Sequence, residues 1–468
     1  MRFSIPALAG LSLLAVVAVL ALVPAGGRAS GQSWSAATRL DTCAAATQPK
    51  VVFPFSSPTT RSGEGAIVWL GSSPSCSDRG SGARTFDIAA LHSDDSPVAP
   101  RPLTTGAAAA TNLAPPLYTA ATTHGQIVAI AAAGDGAPML GDGFARSGIA
   151  ELQTLGGSDE LVATMDGFIG DVDVATVMRV PGAPGYEIEL RAQRHYSSAF
   201  GRALYLPVGS GTVTALAIGM DFRADRLVVW AQGGRIWAQY VTNDGRIKPR
   251  QLLGPSGYDP QISAVLSDDD HAFVLWTDEP PLGVVGPTSV YLAHSGFGPM
   301  FHRATVLAAF TQAPGVRLTP GAVAAERLSS EGVALLWPAM TGGNYVIDAT
   351  GATQTGVLAP SVLAQAGQDL RLGAVATGPQ NEIVVLVEDA PRTTAGFDQS
   401  RQELLATRSN EVRDPGGLGF GPLTEIAPPA SNSDPSVGVD PDTDSAVAAW
   451  QTIAFGVPAI DYAVGSGS

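Results

Sequence analysis

Asp440, Asp442 and Asp444 stand at alternate positions in the run D-P-D-T-D-S. Carboxylates so spaced on a tight turn are what a hard cation such as calcium needs. Yet Ser445 occupies the place of the customary glycine, and Gln451 that of a bidentate glutamate. Aspartate also favours turns for backbone reasons alone, so the run is read as a turn and no cofactor is expected. A second group is basic: Arg191, Arg194, His195 and Arg202 cluster within an acidic chain. Guanidinium groups bind carboxylate or sulfate in bidentate fashion, which makes the four candidates for an anionic ligand. The alternation of EIELRAQRH reads equally as one solvated strand face. Trp34 and Trp237 are the remaining ligand candidates, because an aromatic ring stacks on a sugar and neither belongs to the tryptophan series described below. The six histidines show no metal-ligand spacing, and no G-x-S-x-G, H-E-x-x-H or P-loop pattern occurs. Triads and carboxylate pairs that assemble from distant positions stay open. No residue is assigned a catalytic role.

These groups must be positioned by a repeat. AIVW at 66–69, LVVW at 227–230, FVLW at 273–276, ALLW at 334–337 and VAAW at 447–450 are one apolar word ending in tryptophan. Copies without tryptophan fall at IVAI 127–130, EIEL 187–190 and IVVL 383–386, and the eight words end 40 to 64 residues apart. That period belongs to blade-like sheets. In the copy from 213 to 253, VTALAIG, LVVWAQ, RIWAQYV and PRQLL are separated by turns rich in Gly, Asp and Asn. Four such runs predict a four-stranded antiparallel meander. The second strand lacks polar alternation, so both its faces must be buried, and stacking successive sheets does this. Radial closure of the stack is a β-propeller. The last unit ends at AIDYAVG without a fourth strand, while WSAATRL at 34–40 resembles the fourth-strand segments HRATVLA and GPLTEIA. The N-terminal strand is therefore expected to close the ring. Eight words give eight blades, or seven if the EIEL unit merges with a neighbour. The five aligned tryptophans share a packing role against the neighbouring blade.

Arg2 followed by the apolar run from Leu8 to Val23 reads as a signal peptide over 1–29, cut near Ala25 or Ala29, with 30–468 as one propeller domain. An uncleaved anchor is the alternative. Cys43 and Cys76, the only cysteines, are expected to form one disulfide in an oxidising compartment. The formal charge of −15 disfavours nucleic acid and anionic lipid as partners. Lys50 and Lys248 are the only lysines, a bias that resembles coding by a GC-rich bacterium such as an actinobacterium.

Asp434-Pro435-Ser436-Val437-Gly438-Val439-Asp440 followed by Ala446-Val447-Ala448-Ala449-Trp450 resembles the repeats of secreted bacterial β-propeller proteins. The resemblance covers most of 34–468 and implies only the repeat architecture, since many such proteins have no assigned activity. The expected protein is an exported, monomeric, non-enzymatic propeller that binds a surface polysaccharide or a protein. Two alternatives stand beside it: a glycan-cleaving hydrolase or lyase with its site at the propeller axis, and a structural envelope protein held by the anchor.

Overall fold

A computed structural model describes residues 32–466 apart from 42–45, 55–64, 72–83, 93, 103–112, 122–125, 134–137, 145–147, 155–162, 169–170, 181, 183, 195–199, 268–270, 282–283, 297, 313–317, 319–322, 329–331, 354–355, 365–368, 394–395, 411–417 and 455. Over 133–168, and at 41, 101, 102 and 454, only the backbone is described. The signal segment, Cys43, Cys76 and His195 lie outside the described residues.

The described residues form eight antiparallel sheets of four or five strands, and a small hairpin, Arg392–Thr393 with Gly396–Phe397. Seven of the eight are meanders of consecutive strands, sheet seven carrying the small hairpin between its second and third strands. In chain order, sheets one to seven begin with the strands Thr47–Val52, Leu113–Ala121, Ala163–Phe168, Val213–Met220, Ile262–Leu266, Ala324–Arg327 and Leu370–Thr377. The eighth begins with Asn432–Val439, continues through Ala446–Ala454 and Val457–Gly465, and takes its fourth strand, Thr38–Asp41, from the other end of the chain. There Thr38 pairs with Tyr462, and Arg39 holds Asp461 in a 2.6 Å ion pair. Each first strand touches the first strand of the next sheet, and that of sheet eight touches that of sheet one. These contacts make the first strands the hub of the succession. Among the described residues the only helical element is the 3-10 turn Gln399–Arg401.

Burial of both faces of the second strand drives the stacking. In Ala272–Asp278, Phe273 and Leu275 pack towards sheet six while Val274 and Trp276 pack towards sheet four. All five series tryptophans obey one rule, each packing against the preceding sheet: Trp230 against sheet three, Trp337 against five, Trp450 against seven. Trp69 of sheet one packs on Val447, Ala449 and Ile460 of sheet eight. Trp276 also donates its indole N–H to the Pro255 carbonyl at 2.9 Å, and leaves room at Gly254 for no Cβ, which would lie 2.9 Å from its ring.

The three words without tryptophan require correction. EIEL lies in the third strand of sheet three, Tyr186–Gln193; the second strand is Asp171–Arg179. That strand escaped the pattern because Asp173 interrupts its apolar run, buried in a 2.6 Å ion pair with Arg226 of sheet four. IVAI and IVVL are second strands, but out of step by one residue. Their last residues, Ile130 and Leu386, face the following sheet, and Ala131 and Val387 face the preceding one as the tryptophans do.

Candidate functional site

Two prolines at the hub carry the local argument. Gln48 precedes Pro49 in sheet one, and Asp434 precedes Pro435 in sheet eight. Both non-glycine residues have positive φ, 53° and 49°. A residue before proline prefers an extended backbone, and the left-handed region is costly for a side chain. In both strands the ladder slips at this place, between Thr47 and Lys50 and between Ser433 and Ser436. Such bulges re-aim side chains. Gln48 Oε1 accepts the Leu117 N–H of sheet two at 2.6 Å, and Ser436 Oγ accepts the Val51 N–H at 3.0 Å. These bonds stitch hub strand to hub strand. They leave Asp434 exposed and Lys50 half-buried at adjoining positions. Desolvation holds the Lys50 ammonium below its ordinary pKa against the pull of Asp434. Protein crowding on most sides likewise raises the Asp434 carboxyl, with Lys50 opposing.

Behind this open pair lies a closed one. Arg371 and Glu388, opposite each other in sheet seven, form a 3.2 Å ion pair and are 5% and 6% exposed. Arg371 also donates to Gln402 Oε1 at 2.7 Å and stacks 4.5 Å over Phe397 of the inserted hairpin. Gln402 in turn accepts the Asn432 amide through its carbonyl at 2.8 Å, tying sheet seven to sheet eight. Burial pushes the Glu388 carboxyl up; Arg371 and Gln402 act against it, and Asp434 adds to it. The hairpin is anchored by Arg392, 3.1 Å from Asp369, whose other oxygen accepts the Tyr345 N–H at 2.8 Å. One hub end thus carries a half-buried amine beside an exposed carboxyl, with a buried polar network behind them.

The residues singled out in the sequence occupy separate places. Trp237 is half-buried beside Trp230 at the seam of sheets three and four, with the Arg250 guanidinium 4.8 Å from its ring. Trp34 is half-buried, pairs with Gly465 and packs on the core between sheets seven and eight. Arg191 is held by Glu189, and Arg194 by Asp171 at 2.8 Å; Arg202 is exposed. Asp440 accepts the Asp442 N–H at 2.8 Å, whereas Asp444 turns to Arg408. Among the described residues no group of three or more His, Cys, Asp or Glu is arranged to hold a metal ion. His294 and His302 meet only through the fold, their rings 5.0 Å apart. Lys50, Asp434, Arg371 and Glu388 were not singled out by sequence reasoning. The available signals were the rarity of lysine and the recurrence of a proline inside a first strand.

Solved structures with a similar chain course are propellers of several kinds. The lectin BP39L from Burkholderia pseudomallei is 12% identical, with 83% of this chain and the whole of that one covered, at a TM-score of 0.49. The WD40 domain of SCAP from fission yeast is 9% identical, with 90% and 97% covered, at 0.45. The Aleuria aurantia lectin, described as a six-bladed β-propeller, is 12% identical, with 68% and 98% covered, at 0.34. No family model matches the chain and no curated protein matches it. At these scores the likenesses carry no argument; the cyclic succession of sheets carries the fold.

Proposed function

We propose that this chain is an exported eight-bladed β-propeller, closed by its N-terminal strand, that binds a polyhydroxyl ligand such as a surface polysaccharide without cleaving it. The observation that supports this reading is the Lys50–Asp434 pair at the hub. A carboxylate accepts hydrogen bonds from hydroxyls and an ammonium donates to sugar oxygens, so the pair suits a neutral, hydroxyl-rich ligand. Its backbone is fixed before any ligand arrives, which lowers the ordering cost of binding. Trp237 with its Arg250 neighbour, and the arginines at 191, 194 and 202 with His195, are secondary candidates on the outer part of the ring. Removal of residues 1–29 and a Cys43–Cys76 disulfide belong to the same proposal, as does a monomeric state. Intact mass of the exported protein, with and without reductant and alkylation, checks the cut and the bond.

The test is a screen of residues 30–468 against glycan arrays and envelope polysaccharides, scoring retained and cleaved material together. Retention that falls at least tenfold in both Lys50→Met and Asp434→Asn, with the thermal midpoint little changed, is the expected result. Retention unaffected by either change would sink the hub site. A second reading, a hydrolase or lyase, draws on Glu388 and Asp434, two neighbouring carboxyls both raised by their surroundings. Release of shortened glycan, lost in Glu388→Gln, would establish it in place of the first.

A further inference from the structure

At the opposite end of the hub, sheet eight meets sheet one through two carboxyls and one hydroxyl. Asp95 follows the third strand of sheet one, Thr85–Ala90, and is 1% exposed. Its backbone stands at φ 60°, with its N–H donating to the His92 carbonyl at 2.9 Å. Asp440 closes the first strand of sheet eight and is 8% exposed. Thr443 Oγ1 stands 3.0 Å from Asp95 Oδ2 and 3.0 Å from Asp440 Oδ2. A hydroxyl has one proton to donate, and an ionised carboxylate only accepts. Two carboxylates therefore cannot both be satisfied by Thr443. Asp440 Oδ1 also accepts the Asp442 N–H at 2.8 Å, whereas Asp95 Oδ1 is buried without a partner among the described residues. An Asp95 carboxylic acid that donates to the hydroxyl oxygen, while the hydroxyl donates to Asp440, fits this arrangement. The remaining lone pair of Thr443 faces the Ser445 N–H at 3.3 Å.

We propose that Asp95 and Asp440 share a single proton through Thr443, and that this proton latches the turn of sheet eight onto sheet one, so the seam loosens when it leaves. Among the described residues no spare cation stands by to replace it. From sheet seven, Arg408 reaches this turn, but Glu382 at 2.7 Å and Asp444 occupy it. Asp442 and Asp444 belong to the same turn, and His92 and Asp94 to the loop of Asp95; Asp94 is engaged by Ser96 at 2.6 Å. Burial first, then the Asp440 charge, raises Asp95 to about 6. An acid raised above its unfolded value of ~3.9 makes the folded state hold the extra proton between the two values. The stability this pair contributes is therefore fully present below about pH 4 and is lost as pH rises from there through 6.

The experiment is a series of thermal midpoints from pH 4.5 to 8 on the full mature chain, paired with hydrogen exchange of the 440–445 amides. The wild type should lose midpoint as pH rises from 4.5 to 7, with a folding equilibrium weakened by about twentyfold. Exchange at the turn should quicken over the same interval after correction for the intrinsic rate. Asp95→Asn replaces the proton with a permanent amide donor, so its profile should lack the step. Asp440→Asn serves the same purpose should the first variant not fold. A wild type without the step, or a step that survives in these variants, overturns the latch. Calcium that restores the wild-type midpoint at pH 7.5, with the variants unmoved, also overturns it and makes the pair a cation site.

Discussion

Arg371 shows what the interior of the ring demands of a charged side chain. Its guanidinium has Glu388, Gln402 and the Phe397 ring as partners and almost no water. Removing one member of such a pair leaves the other buried and unpaired, which typically costs ~3–5 kcal/mol. Arg371→Met should therefore lower unfolding free energy in urea by about that much, while Arg371→Met with Glu388→Leu should recover most of it. A double variant as unstable as the single one would refute this account. None of this was visible in the sequence, because Arg371 and Glu388 face each other only through the register of two strands. The same holds for Asp434 and Lys50, which lie at opposite ends of the chain. Trp34 was legible as an outlier to the tryptophan series; its place over Gly465, against the core between sheets seven and eight, was not.

At the scale of elements, apolar words without polar alternation were a dependable guide to second strands, for they reflect burial on both faces. They led to the right strands wherever tryptophan fixed the phase. Where small aliphatics replaced it, at IVAI and IVVL, the phase slipped by one, since Val, Ile and Leu pack equally well on either side. Where a buried ion pair replaced the apolar residue, at Asp173, the word disappeared and EIEL was taken in its stead. The tryptophan rule carries a prediction of its own. Trp276→Ala should cost ~3–5 kcal/mol and should expose the sheet-four partners of Trp276, read as faster exchange in Gln251–Pro255. Loss of protection confined to sheet six would contradict the packing direction.

For the whole molecule, the decisive contact joins the two ends. Ser33 Oγ lies 2.9 Å from Ser466 Oγ, and the Ser35 N–H reaches the Val464 carbonyl at 2.8 Å. Deleting residues 30–41 should leave sheet eight with three strands and an open edge, lowering the thermal midpoint and promoting association by edge pairing. Light scattering and a thermal scan check both. The incomplete last repeat made this pairing legible in the sequence. The count of sheets was less so, because three of the eight words were out of phase or misplaced.

That pairing also orders events in time. Arg39 and Asp461 are 422 positions apart, while the other sheets are built from strands near one another in the chain. A chain synthesised N-terminus first must carry the strand Thr38–Asp41 unpaired until Val457–Gly465 has been made. Closing so long a loop costs about 3 kcal/mol more than closing one of ~15 residues. Joining residue 466 to residue 32, and opening the chain at the Asn243–Gly245 turn instead, would move that burden to another sheet without touching the native contacts of this one. Sheet eight is thus the last to be completed, and a chaperone that guards the growing chain has that one strand to guard.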